Sequence, residues 1–148
     1  MGAPAALGNP EEKPAHEGIV PSFYLDKTEV TVAAYAKCVA AGACEKAHST
    51  HRFCNVKLDD RDDHPINCVD LYRAAAFCKW AGKRLPTERE WEYAASAGRE
   101  RRKFSWGNND PTPKIACYDH PGGSCPVASF EPGAFGLYDM SGSVWEWT

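Results

Sequence analysis

Gly82-Lys-Arg-Leu-Pro-Thr-Glu-Arg-Glu-Trp-Glu-Tyr93 contains the end of one helix and the start of another. Thr87 is followed three residues later by Glu90, so hydroxyl and carboxylate can satisfy each other's backbone donors as a capping box. Trp91, Ala94 and Ala95 then supply an apolar face, with Gly98 in the terminating position. Working backwards, Asp70 is an N-cap, and Leu71, Ala74, Ala75, Cys78 and Trp80 trace a helical face that Gly82 ends. Thr31 caps an earlier helix running to about Ala41, with Gly42 as its stop. Phe23 to Val30 alternates large apolar with polar residues and predicts a strand. Beyond Gly98 the sequence predicts loops and short strands.

The 148 residues suit one domain, residues 1–148, able to bury roughly two-thirds of its unfolded surface. Eleven prolines and twelve glycines cluster between short periodic segments, which argues for a loop-rich domain rather than a bundle. A net charge of −3 gives no electrostatic reason to expect nucleic acid or an anionic membrane as partner. The longest apolar run, around Val30 to Cys44, is interrupted by Lys37, so no segment reads as a membrane span. The opening residues lack the basic start and apolar core of an export signal, which carries no weight if Met1 is internal to a longer product.

Phe135-Gly-Leu-Tyr-Asp-Met-Ser-Gly-Ser-Val-Trp-Glu-Trp-Thr148 follows the Gly82 stretch by about fifty residues. Glu29-Val-Thr31, His64-Pro-Ile-Asn-Cys-Val-Asp70, Phe77 to Glu88, Trp106-Gly107, Cys125-Pro-Val127 and Gly136 to Met140 complete the series. In this order the motifs resemble the formylglycine-generating enzyme (sulfatase-modifying factor) family across nearly the whole chain. The resemblance implies an α+β, irregular, loop-rich, C-type-lectin-like fold. It implies, for the best-known members, oxidation of a sulfatase cysteine to formylglycine with copper held by a cysteine pair near the C-terminal end. Met1-Gly2 resembles the middle of an early family motif, and Thr148 precedes the family's Arg-Gly-Gly-Ser and cysteine region. The expectation is therefore an incomplete domain truncated at both ends, with copper only if the C-terminal part is supplied and no catalytic residue assigned.

Seven cysteines leave one unpaired in an oxidising setting. The resemblance points to Cys78 as the orphan, since its usual family partner lies further downstream. The other six then allow Cys38 with Cys44, Cys54 with Cys68 and Cys117 with Cys125, one of fifteen connectivities that sequence does not choose between. Cys44, His48, His51 and Cys54 are also the ligand types of tetrahedral zinc, but no Cys-x-x-Cys knuckle is present, and disulfides or buried thiols are preferred.

Calcium is the stronger metal candidate. Asp139, Gly142, Val144 and Glu146 match, residue by residue, the family positions of a structural calcium, the outer two by side chain and the inner two by backbone carbonyl. The alternative leaves Asp139 and Glu146 solvated. A second family calcium loop is expected to be lost here, with Cys117 in the place of an asparagine and a Cys117 to Cys125 bridge closing the shortened loop.

Other features take ordinary readings. Asp59, Asp60, Asp62 and Asp63 around Arg61 read as a solvated loop, and Arg99 to Lys103 as a surface turn. His64 reads as structural, and Trp80, Trp91, Trp106, Trp145 and Trp147 as core. No phosphate loop or nucleophile elbow is present, so nucleotide enzymes and ordinary hydrolases are unsupported. Two functions remain: part of a formylglycine-generating oxidase, or a non-catalytic lectin-like ligand- or protein-binding module. The expected partner is a sulfatase-type peptide or other protein ligand, not nucleic acid or membrane. Sheet edges exposed in such a fragment would favour an oligomer or a complementing fragment.

Overall fold

The computed structural model describes residues 18–148. The reading of Met1-Gly2 lies outside them. Three helices, α1 (Val32–Ala40), α2 (Leu71–Trp80) and α3 (Glu88–Ala95), carry the regular structure, with short 3₁₀ turns at Asn55–Lys57 and Gly98–Glu100. Each helix begins where a side-chain oxygen can take an orphan amide. Thr31 accepts from Ala34 N–H at 3.1 Å and Asp70 from Arg73 N–H at 2.9 Å. At α3 the capping box is complete, Thr87 Oγ accepting from Glu90 N–H at 3.3 Å and Glu90 from Thr87 N–H at 2.8 Å. Arg84 donates to both Glu90 oxygens at 2.7 Å, and this fork, ahead of the cap, pulls the carboxyl down to about 2.

The glycine after α1 and the glycine after α2 take left-handed backbone, φ 70° at Gly42 and 72° at Gly82, as helix stops require. Gly98 does not terminate α3. Ala97 makes the first left-handed turn, φ 57°, and Gly98, also left-handed at φ 64°, opens the 3₁₀ turn beyond it.

The strand predicted over Phe23 to Val30 does not form. Its alternation survives in exposure, with Tyr24 and Asp26 outside and Phe23 and Leu25 half-buried, but no neighbouring segment offers a ladder. Among the described residues the β half of the α+β expectation reduces to two isolated bridges, Thr31 with Pro65 and Phe104 with Gly107, so the short strands expected beyond Gly98 are loops.

Two apolar clusters replace a sheet core. Tyr35, Cys38, Cys44 and Phe77 join α1 to α2, the Tyr35 and Phe77 rings stacked at 5.8 Å. Ala94, Leu137 and Met140 join α3 to the C-terminal loops, with Phe23, Leu25 and Trp91 against them. Of the five tryptophans expected in the core, Trp91 packs against this second cluster and Trp106 is half-buried, while the other three are exposed. Trp145 is 102% exposed and Trp80 and Trp147 are 43% and 46% exposed, since among the described residues nothing covers them.

Covalent and polar crosslinks hold the loops. Cys38–Cys44, Cys54–Cys68 and Cys117–Cys125 are disulfides and Cys78 is free. With Cys44 and Cys54 each bridged elsewhere, the zinc set Cys44, His48, His51 and Cys54 does not exist. Asn55, only 1% exposed, donates through Nδ2 to the Pro65 carbonyl and to Ser124 Oγ, both at 2.8 Å. His64 Nδ1 faces Ser124 Oγ at 3.1 Å and the Arg61 guanidinium at 2.8 Å. Arginine can only donate, so this nitrogen accepts and the ring is neutral. His64 is thus a structural hub, and Arg61, which also donates to the Ser124 carbonyl at 3.1 Å, is tied inward rather than solvated with its acidic neighbours.

Candidate metal centre

The loop from Asp139 to Glu146 is wound by three left-handed residues, Asp139 at φ 55°, Gly142 at 107° and Ser143 at 56°. Gly142 is there for a physical reason. A Cβ on it would stand 2.9 Å from the Cys117 carbonyl oxygen, the same oxygen that accepts from Ser143 N–H at 3.0 Å. The Cys117–Cys125 bridge thereby steadies the strip of backbone on which the loop is seated. At the loop's entrance Tyr138 N–H donates to the Lys27 carbonyl at 2.8 Å, fastening it to the segment ahead of α1.

Two of the four predicted ligands project carboxylates from this loop. Ala128 N–H donates to Asp139 Oδ2 at 2.7 Å, and the Trp91 indole N–H on α3 donates to Glu146 Oε2 at 2.9 Å. Burial raises the pKa of Asp139 against that amide. Glu146 remains solvent-exposed as a residue, yet its carboxylate sits among enough protein that burial, ahead of the Asp139 charge, raises it too. Between them, the carbonyls of Gly142 and Val144 accept no hydrogen bond among the described residues.

The third carboxylate is one that sequence reasoning missed. Glu29 has both oxygens shut off from solvent, and neither has a partner in hydrogen-bond geometry. Burial comes first among the causes that push its pKa up to about 8, followed among the raising effects by the charges of Asp139 and Glu146. Its own amide and the Ser143 hydroxyl lie near enough to temper the shift without bonding it. The signal available in the sequence was Glu29-Val-Thr31, noted as a motif without a role for its acid.

Three partly buried carboxylates therefore share one neighbourhood, Glu29 feeling the charges of Asp139 and Glu146 and Glu146 that of Asp139, and none forms an ion pair with Lys, Arg or His among the described residues. Two free carbonyls and three carboxylates are hard oxygen donors, the set that suits calcium rather than a soft transition metal. Their oxygens are spread beyond 4.8 Å, because the tighter three-residue cluster among the described residues is Cys117, His120 and Cys125. There the two sulfurs bond each other, which leaves no thiolate for a metal.

A family model described as "Sulfatase-modifying factor enzyme 1-like domain" matches residues 1–148. The chain is 43% identical over 103 residues to the formylglycine-generating enzyme of Mus musculus, covering 60% of this chain and 27% of that protein. It is 31% identical to the serine/threonine-protein kinase Pkn1 of Chlamydia trachomatis, covering 95% of this chain and 25% of that protein. The chain thus spans about a quarter of the length of these curated relatives. The solved structure of PvdO from Pseudomonas aeruginosa superposes with a TM-score of 0.75 at 27% identity, covering 95% of this chain and 62% of that one.

Proposed function

The chain belongs to the sulfatase-modifying factor enzyme 1-like domain family, and from that premise we propose that it is a calcium-organised scaffold of a formylglycine-generating-type domain without catalytic activity of its own. Calcium is held by the side chains of Asp139 and Glu146 and the carbonyls of Gly142 and Val144. The observation that carries this reading is the gathering of carboxylates around one tightly wound loop with no ion pair to Lys, Arg or His among the described residues. A divalent ion supplies the missing positive charge and ties the loop down.

The cysteines support the non-catalytic part. Copper-dependent oxidation needs soft thiolates brought together. Six of the seven cysteines are in disulfides, and burial raises the pKa of the seventh, Cys78, half-buried on α2. The partner class is a sulfatase-type peptide or other protein ligand, presented on lectin-like loops to a cysteine pair that these residues do not provide.

A second reading, a ligand- or protein-binding module, is favoured by an apolar groove between Pro21, Phe23, Leu25, Tyr93, Phe135 and Leu137, with Tyr93 and Phe135 stacked at 5.8 Å on its wall. One assay tests the first. Incubated with a sulfatase-type cysteine peptide, copper and oxygen, the 148-residue chain is expected to leave the cysteine unchanged by mass. Appearance of the aldehyde would overturn the proposal.

A further inference from the structure

We infer that Glu29 is a fifth ligand of the calcium centre, so that one ion clamps the segment entering α1 to the 139–146 loop. The inference rests on the reading that this loop holds calcium, and it adds a ligand more than one hundred residues away in sequence.

The placement of Glu29 is set by its backbone neighbours. On one side the Lys27 carbonyl accepts from Tyr138 N–H, and on the other the Val30 carbonyl accepts from Ile66 N–H at 2.7 Å while Thr31 bridges to Pro65. The residue is therefore pinned to the entrance of the loop on its near side and to the α1 cap on its far side. Both of its carboxylate oxygens are shut off from solvent without a partner, within reach of the Ser143 hydroxyl and of the charges of Asp139 and Glu146. A side chain that only filled space there would be better served by a leucine or methionine, since burying a carboxylate without donors is costly.

Two simpler occupants leave the problem unsolved. A proton on Glu29 creates a hydroxyl donor that needs an acceptor, and the carboxylates of Asp139 and Glu146 stay unbalanced. A single water gives Glu29 a donor but no charge. A divalent cation supplies charge for all three acids, which draw in around it from their present spacing. Glutamate is also the side chain that most readily offers calcium two oxygens at once, and magnesium, which demands a small rigid octahedron, fits a wide set of donors poorly.

Calcium titration of the full chain by calorimetry, paired with thermal melts in EDTA and in calcium, tests this. The wild-type chain is expected to bind one ion. Glu29→Gln should bind it about tenfold or more weakly, with a smaller calcium-induced rise in melting temperature, while melting no lower than wild type in EDTA. Asp139→Asn serves as the loop control. If wild type binds no calcium, the calcium reading fails and this inference with it. If Asp139→Asn loses binding and Glu29→Gln binds as wild type does, the inference alone is overturned. If Glu29→Gln does not fold, Glu29→Asp, which keeps the charge and shortens the reach, decides, because undiminished affinity there refutes a direct ligand.

Discussion

Replacing Asn55 by alanine should be among the most damaging single changes in this chain. Its Nδ2 supplies both donors of a two-way bridge, one to the Pro65 carbonyl next door to the α1 cap and one to Ser124 beside the Cys117–Cys125 bridge. At 1% exposure no water can replace them without reorganisation. Each buried acceptor deprived of its donor costs about 1–3 kcal/mol, and Ser124 retains His64, so the loss should be about 3 kcal/mol. In a domain of this size that is roughly 10 °C in melting temperature, out of a total stability of about 5–15 kcal/mol. Asn55→Asp keeps the volume but turns an acceptor toward the Pro65 carbonyl and buries a charge, and should be no better. Asn67→Ala is the control: it removes the acceptor of Asn55 N–H and a donor to the Phe53 carbonyl near the surface, and should cost only about 1 kcal/mol. Urea and thermal melts followed by circular dichroism under non-reducing conditions measure all three. Asn55→Ala within about 0.5 kcal/mol of wild type, or Asn67→Ala the more harmful of the two, would refute the reasoning.

His64 should give the fold an acid-sensitive limb. Burial, with the Arg61 charge second, holds its pKa below the ordinary 6.5, so between the two values the unfolded chain binds the extra proton and stability rises with pH. The contribution is complete above 6.5 and is lost as pH falls through the folded-state value; urea midpoints across that window should drop in wild type and drop less in His64→Gln, and identical slopes would contradict this. Replacing Cys54 and Cys68 together by serine opens a loop of sequence separation 14 and should cost about 3 kcal/mol, with a loss under about 1 kcal/mol counting against a crosslink that restrains the unfolded chain.

The helices were legible because their signals are local. Thr31, Asp70 and Thr87 each act within three residues, and Gly42 and Gly82 need only their own backbone freedom. The resemblance singled out Cys78 as the free cysteine, and of the fifteen pairings open to the other six the one put forward is the one that forms. The strand at Phe23 to Val30 misled because alternation fixes which side chains face inward, while a strand also needs a neighbour to pair with, and that is a property of distant residues. Trp145 shows the same gap: a large ring announces area to bury but not whether anything lies above it. The zinc grouping failed for the converse reason, since proximity in sequence at Cys44 and Cys54 lost to Cys38 and Cys68. In the candidate centre Asp139 and Glu146 were visible in one short motif, whereas Glu29 owes its place to contacts no window of sequence contains.

A fold whose described backbone hydrogen bonds outside the helices are, two isolated bridges apart, turn and loop contacts rather than ladders has no register to slip. An insertion into a sheet displaces every pair beyond it, but here disulfides fix the ends of 38–44, 54–68 and 117–125, the last two also joined through Ser124 to Asn55, Arg61 and His64. A change of length inside one of these loops leaves its ends where they were. Such a chain can lengthen, shorten or rewrite one loop at a time, wherever the change spares the bonds around Asn55, His64 and Ser124, while the helices and the crosslinks keep the remainder in place.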